Sequence, residues 1–151
     1  EKMPPVMIGG GAKRILGIAG KHADIVSINF NNSAGKIGPE GVGSGTSAGT
    51  LQKLEWIKAG AGDRFSEIEI EIAAYFTVIT EHSDVVANEF AKLFNLSSSE
   101  ILDHPHCLIG QTSEVIEKIQ QRREEFGINY ITFGGAAIDD VAPIVEALSG
   151  T

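Results

Sequence analysis

Residues 4–14 read Pro-Pro-Val-Met-Ile-Gly-Gly-Gly-Ala-Lys-Arg. An apolar run, Val6-Met7-Ile8, stops at three consecutive glycines, and a helical pattern with two cations follows at once. Bounded by Pro and Gly, the run reads as a buried strand. Glycines at its carboxyl end permit positive φ and let the backbone approach a ligand. The start of the next helix offers free N–H groups and the positive end of a dipole, which suit a phosphate. Strand, glycine turn and helix start together predict a phosphate seat. The stretch is not a dinucleotide fingerprint, because Arg14 stands where a third spaced glycine belongs.

The pattern continues outward from this stretch. Ala12 to His22 reads as a helix, with Ile15, Leu16, Ile18 and Ala19 at helical spacing. Ala23 to Phe30 reads as a second strand, apolar on both faces up to Ile28, as a covered parallel strand is. Asn31 to Thr50 is rich in Gly, Ser and Thr and reads as a long flexible loop, suited to a lid. Leu51 to Ala59 is predicted helical. Glu67 to Thr80 is predicted as one strand, with Glu67, Glu69 and Glu71 on a solvated face and a buried far end. A helix from Ser83 to Phe94 and a capped turn opening at Ser97 follow. His104 to Gly110 reads as a loop, Thr112 as the cap of a helix over 113–126, and Gly127 as its stop. Ile128 to Phe133 is the last strand, ending on Gly134-Gly135, and Asp139 to Leu148 the last helix. Four strand-helix units in series predict parallel strands joined by right-handed crossovers.

The totals narrow the function. A chain of 151 residues suffices for one core. A net charge of −8 provides no basic field for nucleic acid. The longest apolar stretch, Ile72 to Ile79, is too short to span a bilayer, so no membrane partner is expected. The single cysteine, Cys107, fits a reducing cytoplasm. The chain begins with Glu1 rather than Met, and a preceding segment is expected.

Five segments, in order, carry a family resemblance: Pro4 to Gly11, Ala23-Asp24-Ile25-Val26, Gly62-Asp63-Arg64-Phe65, His104-Pro105-His106 with Leu108-Ile109-Gly110, and Tyr130-Ile131-Thr132. The set resembles the luciferase-like monooxygenases, especially their deazaflavin (coenzyme F-420) oxidoreductase branch. The resemblance implies an α/β fold: a (β/α)4 half-barrel spanning 1–151, the carboxyl-terminal half (strands five to eight) of a (β/α)8 TIM barrel. It implies hydride transfer between a cofactor, F-420 or FMN, and a small organic substrate. A truncated, non-catalytic flavin-binding or assembly module is the alternative. An isolated half leaves two open strand edges. The implied partner is therefore the missing amino-terminal half or a second copy, giving a homo-oligomer.

By the same resemblance, Gly9, Gly10 and Gly11, with Ala12 and Lys13 at the helix start, bind the cofactor's phosphate-bearing tail. A plain tight turn is the bland alternative. Lys13 and Arg14 are equally at home as solvated cations. Asn29 and Phe30 fall at the end of the second strand, where an amide can bind cofactor or substrate and a ring can wall the pocket. Tyr75, Phe76 and Thr77 read as core, and Gly134-Gly135 as a close approach or a turn. His104, His106 and Cys107 lack zinc-site spacing, so no metal is expected. No catalytic acid, base or nucleophile stands out, as expected where a cofactor carries the chemistry.

Overall fold

The computed structural model describes residues 3–33 and 35–150. Its elements in chain order are β1 (Met7–Gly10), α1 (Lys13–His22), β2 (Ile25–Ile28), α2 (Pro39–Gly43), α3 (Ser47–Ala61), β3 (Glu69–Ala74), β4 (Phe76–Ile79), α4 (Ser83–Phe94), α5 (Ser98–Asp103), β5 (Cys107–Gly110), α6 (Thr112–Phe126), β6 (Ile128–Phe133) and α7 (Ile138–Leu148). A 3₁₀ turn, Gly62–Glu67, joins α3 to β3.

The main sheet has the order β1-β2-β3-β6, and each pairing is parallel. This is the arrangement expected of consecutive strand-helix units. One face of the sheet is apolar. Val26, Ile28, Ile70, Ile72 and Ile128 pack there against Leu16 and Ala19 of α1 and Leu54 and Ile57 of α3. Alternation along a strand turns Ser27, Asn29, Glu71 and Ala73 to the other, inner face. The register aligns Gly9, Ser27, Glu71 and Tyr130 as one row across that face.

Helices α1 and α3 touch backbone to backbone. A Cβ on Gly20 would collide with the Ile57 carbonyl, and one on Gly60 with the Gly17 carbonyl. Both ends of the sheet are open, since β1 and β6 each have a single neighbour. Val6 and Met7 are exposed beside one edge and Tyr130 on the other.

Four expectations need correction. The predicted strand over 67–80 is two strands. The chain breaks at Tyr75, where Ala74 still pairs with Phe133 but Phe76 pairs with Cys107 in a separate two-stranded sheet. The expected loop 104–110 supplies that second strand, β5. The expected loop over 31–50 contains α2 and the first turn of α3. Pro39 opens α2 at a position where its fixed φ and missing N–H fit, and the Thr46 hydroxyl accepts from the Gly49 N–H. Ala34, in the same stretch, lies outside the described residues. Finally, Gln111 rather than Thr112 caps α6, through a reciprocal box with Glu114. Gly127 ends α6 in the left-handed region, φ 69°, as expected.

Arg122 fixes the turn that leads into β5. It is 4% exposed, and its guanidinium donates to the carbonyls of His104 (2.9 Å), Pro105 (3.0 Å) and Cys107 (2.6 Å). Buried carbonyls stripped of such a partner are costly. Arg122→Met, which keeps the bulk and removes the donors, is expected to lower unfolding free energy by roughly 3 kcal/mol. Urea denaturation followed by far-UV circular dichroism measures this.

Candidate functional site

The ends of β1, β2 and β3 meet at one rim, and glycine makes the meeting possible. A Cβ on Gly9 would press on the Asn29 amide, with Nδ2 at 2.9 Å. A Cβ on Gly10 would strike the Ile15 side chain of α1, and one on Gly11 the Phe30 carbonyl. None of the three has positive φ. The expected left-handed turn is therefore corrected: these residues are glycine because neighbours come close, in ordinary backbone conformation.

Helix α1 begins at Lys13, with Ala12 at the cap position and no side chain capping it. Its first turn holds no acidic residue. The leading N–H groups therefore lack a side-chain partner, and the Lys13 and Arg14 side chains are exposed beside them. Orphan amides, a dipole end and two cations make this a positive spot able to take an anion.

Asn29 is held from two sides. The Tyr75 hydroxyl donates to its Oδ1 at 2.7 Å, and its Nδ2 donates to Ser27 Oγ at 3.2 Å. Its backbone carbonyl accepts from Lys53 Nζ at 2.8 Å. Tyr75 thus belongs to the rim as well as to the core, where its ring packs on Phe30 and His106. Burial, and next the charge of Glu71, hold the Tyr75 hydroxyl above its ordinary pKa, so it stays a donor. Glu71, expected on a solvated face, is buried; this corrects the reading of the alternating glutamates. Glu69 is exposed, as expected.

Lys53 and the histidines escaped the sequence reading as structural groups. Lys53 is 2% exposed, and burial lowers its ammonium to about 8. His104 Nε2 lies 2.9 Å from the Val42 carbonyl, and His106 Nδ1 lies 2.8 Å from the Ala73 carbonyl. A carbonyl only accepts, so each of these nitrogens carries the proton. His104 Nδ1 is then free to accept from the His106 backbone N–H at 3.2 Å. His106 Nε2 is a buried bare acceptor with no partner among the described residues. Cys107 is buried, and burial pushes its thiol up to about 12, out of reach of thiolate chemistry. Among the described residues no group of three or more His, Cys, Asp or Glu is placed to hold a metal.

The structure therefore brings Gly9, Gly10, Gly11, Ala12, Lys13 and Asn29 to one rim and adds Ser27 and Tyr75 to them. Gly134 joins the same rim, its N–H donating to the Ala74 carbonyl at 3.0 Å. A cleft of about 860 Å³ lies elsewhere, beside β6 between α6 and α7, lined by Ile119, Tyr130, Val145 and Leu148 among others. It adjoins an open sheet edge and holds none of the rim residues.

No family model matches the chain, and no curated protein matches it significantly. Solved structures do match its fold. The coenzyme F420 dependent tetrahydromethanopterin reductase from Methanopyrus kandleri aligns with a TM-score of 0.61 at 16% identity, over 95% of this chain and 49% of that one. An F420-dependent secondary alcohol dehydrogenase, solved with an F420-acetone adduct, aligns with 0.59 at 17% identity, over 98% and 48%. Riboflavin lyase, solved with modified FMN and riboflavin, aligns with 0.57 at 14% identity, over 95% and 43%. The chain thus spans about half the length of these structures or less. Its parallel β/α architecture is that of part of a TIM-barrel-like fold. No helix among the described residues is long and apolar enough to cross a membrane.

The histidines set a pH dependence. Burial lowers His104 to about 4 and His106 to about 3, from an ordinary 6.5. Between 6.5 and those values the unfolded chain holds more protons than the folded one. Their contribution to stability is therefore complete above about 6.5 and is lost as pH falls toward 4. Urea midpoints are expected to be level at and just above pH 7 and to fall steadily below 6.5. The fall should be shallower in His106→Asn.

Proposed function

We propose that this chain is the carboxyl-terminal half, strands five to eight, of a (β/α)8 oxidoreductase of the luciferase-like type. The rim at Gly9–Lys13 and Asn29 holds the phosphate-bearing tail of a flavin or deazaflavin, FMN or coenzyme F-420. When bound, that cofactor exchanges hydride with a small organic substrate. The observation that carries the reading is the uncapped start of α1, set behind three glycines at the end of a parallel strand. The fold likeness to F420- and FMN-containing structures supports it.

The residues present fit an anionic tail. The free amides of α1 and the Lys13 side chain supply positive charge. Asn29 is fixed by the Tyr75 hydroxyl and by Ser27, whose hydroxyl and carbonyl both accept from its Nδ2, and so holds its amide at the rim. Gly9 leaves room for that amide to lie flat. The chain's own part is to bind and orient; the chemistry belongs to the cofactor. The protein works in the cytoplasm, and it completes its barrel with the missing amino-terminal half or with a second copy. The open edges of β1 and β6 also suit a second reading, a flavin-binding module without catalysis.

Titration of the assembled protein with FMN and with F-420, followed by fluorescence, tests the seat. Gly9→Ala displaces the Asn29 amide without meeting backbone, so the fold should survive. Affinity for the cofactor that binds is expected to fall about tenfold or more in Gly9→Ala and in Asn29→Ala, the loss of one to two hydrogen bonds. Affinities equal to wild type in both variants would refute the seat.

A further inference from the structure

Lys53 is 2% exposed, and among the described residues its ammonium bonds only the Asn29 main-chain carbonyl, at 2.8 Å. No carboxylate answers it: the ion pair formed among those residues is Lys58 with Glu55, on the exposed side of the same helix. Arg122, also buried, commits its guanidinium to three carbonyls, whereas Lys53 engages one acceptor with a group that carries three donors. An ammonium buried without an anion is costly, and Met would fill the same space. A cation kept in such a place points to an anion that comes from outside the chain.

Its position says where that anion sits. Asn29 accepts from Lys53 on its carbonyl and donates from its own N–H to the Gly10 carbonyl at 2.9 Å. The next carbonyl, of Phe30, lies against Gly11, where a Cβ would strike it. The ammonium thus stands one peptide unit behind the glycine rim, on its dry side. A charge that water screens poorly acts across such a gap. We propose that Lys53 is the buried counter-cation of the cofactor's phosphate, acting across the Asn29 peptide rather than by direct contact. The proposal rests on the phosphate seat at Gly9–Lys13 and adds to it a residue from a different helix.

Paired titrations of the assembled protein isolate the anionic tail: FMN against riboflavin, and F-420 against its phosphate-free deazaflavin, followed by fluorescence. The preference for the phosphate-bearing member is expected to fall about tenfold or more in Lys53→Met, which keeps the apolar stem, and in Lys53→Gln, which keeps a donor for the Asn29 carbonyl. Circular dichroism checks that both variants are folded. A merely structural lysine would weaken both members of a pair alike. A preference that survives in either variant overturns the proposal.

The wild type supplies a test that needs no variant. Burial lowers the Lys53 ammonium to about 8. The charged groups in reach of it are His104 and His106, beside the turn into β5, and Arg122 of α6. The histidines are neutral near that pH, and Arg122 keeps its charge. The Tyr75 hydroxyl stays protonated, and Glu40 of α2 and Lys13 of α1 are exposed to solvent. The preference is therefore expected to decline as pH rises through about 8, where Lys53 loses its charge. A level preference across that range overturns the proposal. Wild type that prefers neither phosphate-bearing member lacks the seat itself, which removes the underlying reading and the proposal with it.

Discussion

The buried guanidinium of Arg122 organises the rim from a distance. By gathering three carbonyls of the turn at 104–107, it sets the direction in which His104 and His106 leave the chain. One ring then holds the Val42 carbonyl in α2, and the other the Ala73 carbonyl in β3. The next residues of β3 are thereby steered off the main sheet at Tyr75, whose hydroxyl is left pointing at Asn29. A cation on the back of α6 thus orients an amide at the far end of β2. Arg suits this task, because a planar fork with five donors serves several carbonyls and keeps its charge even when burial lowers its pKa to about 10.

The inner and outer faces of the sheet are built on different terms. Outside, branched aliphatic side chains meet two helices and are sealed. Inside, the row of Gly9, Ser27, Glu71 and Tyr130 carries three polar side chains. A row of this kind is compatible with a folded chain only if curvature and neighbouring rings shelter it.

Much of this was legible in the amino-acid order. Val6 to Ile8, Ala23 to Phe30 and Ile128 to Phe133 are short apolar runs between glycine, proline or polar residues; they are β1 and β2, with ends shifted by one or two residues, and β6, with the expected ends. The break at Tyr75 had no local signal, because Ala73 to Ile79 is one continuous apolar run. The change of partner depends on where β6 ends and on a turn held from α6. Glu71 departs from the expected solvated face for a related reason, whereas Glu67 and Glu69 are exposed as expected. Strict alternation says that one face is polar, but it cannot say whether that face meets solvent or the inside of a curved wall. Lys53 was invisible because its burial and its bond to the Asn29 carbonyl past the end of β2 do not follow from the spacing within α3. The glycine triplet was read correctly as a necessity and wrongly as a turn of unusual φ.

The contact between α1 and α3 has a mechanical consequence. With Gly17 and Gly20 facing Ile57 and Gly60 across bare main chain, sliding either helix by one residue drives a side chain into a peptide plane. The two crossovers, one from β1 to β2 and one from β2 to β3, are keyed to each other like the wards of a lock. Those three strands should consequently move as one plate, so any flexing of the sheet has to concentrate beyond Ala74, where the chain changes sheets.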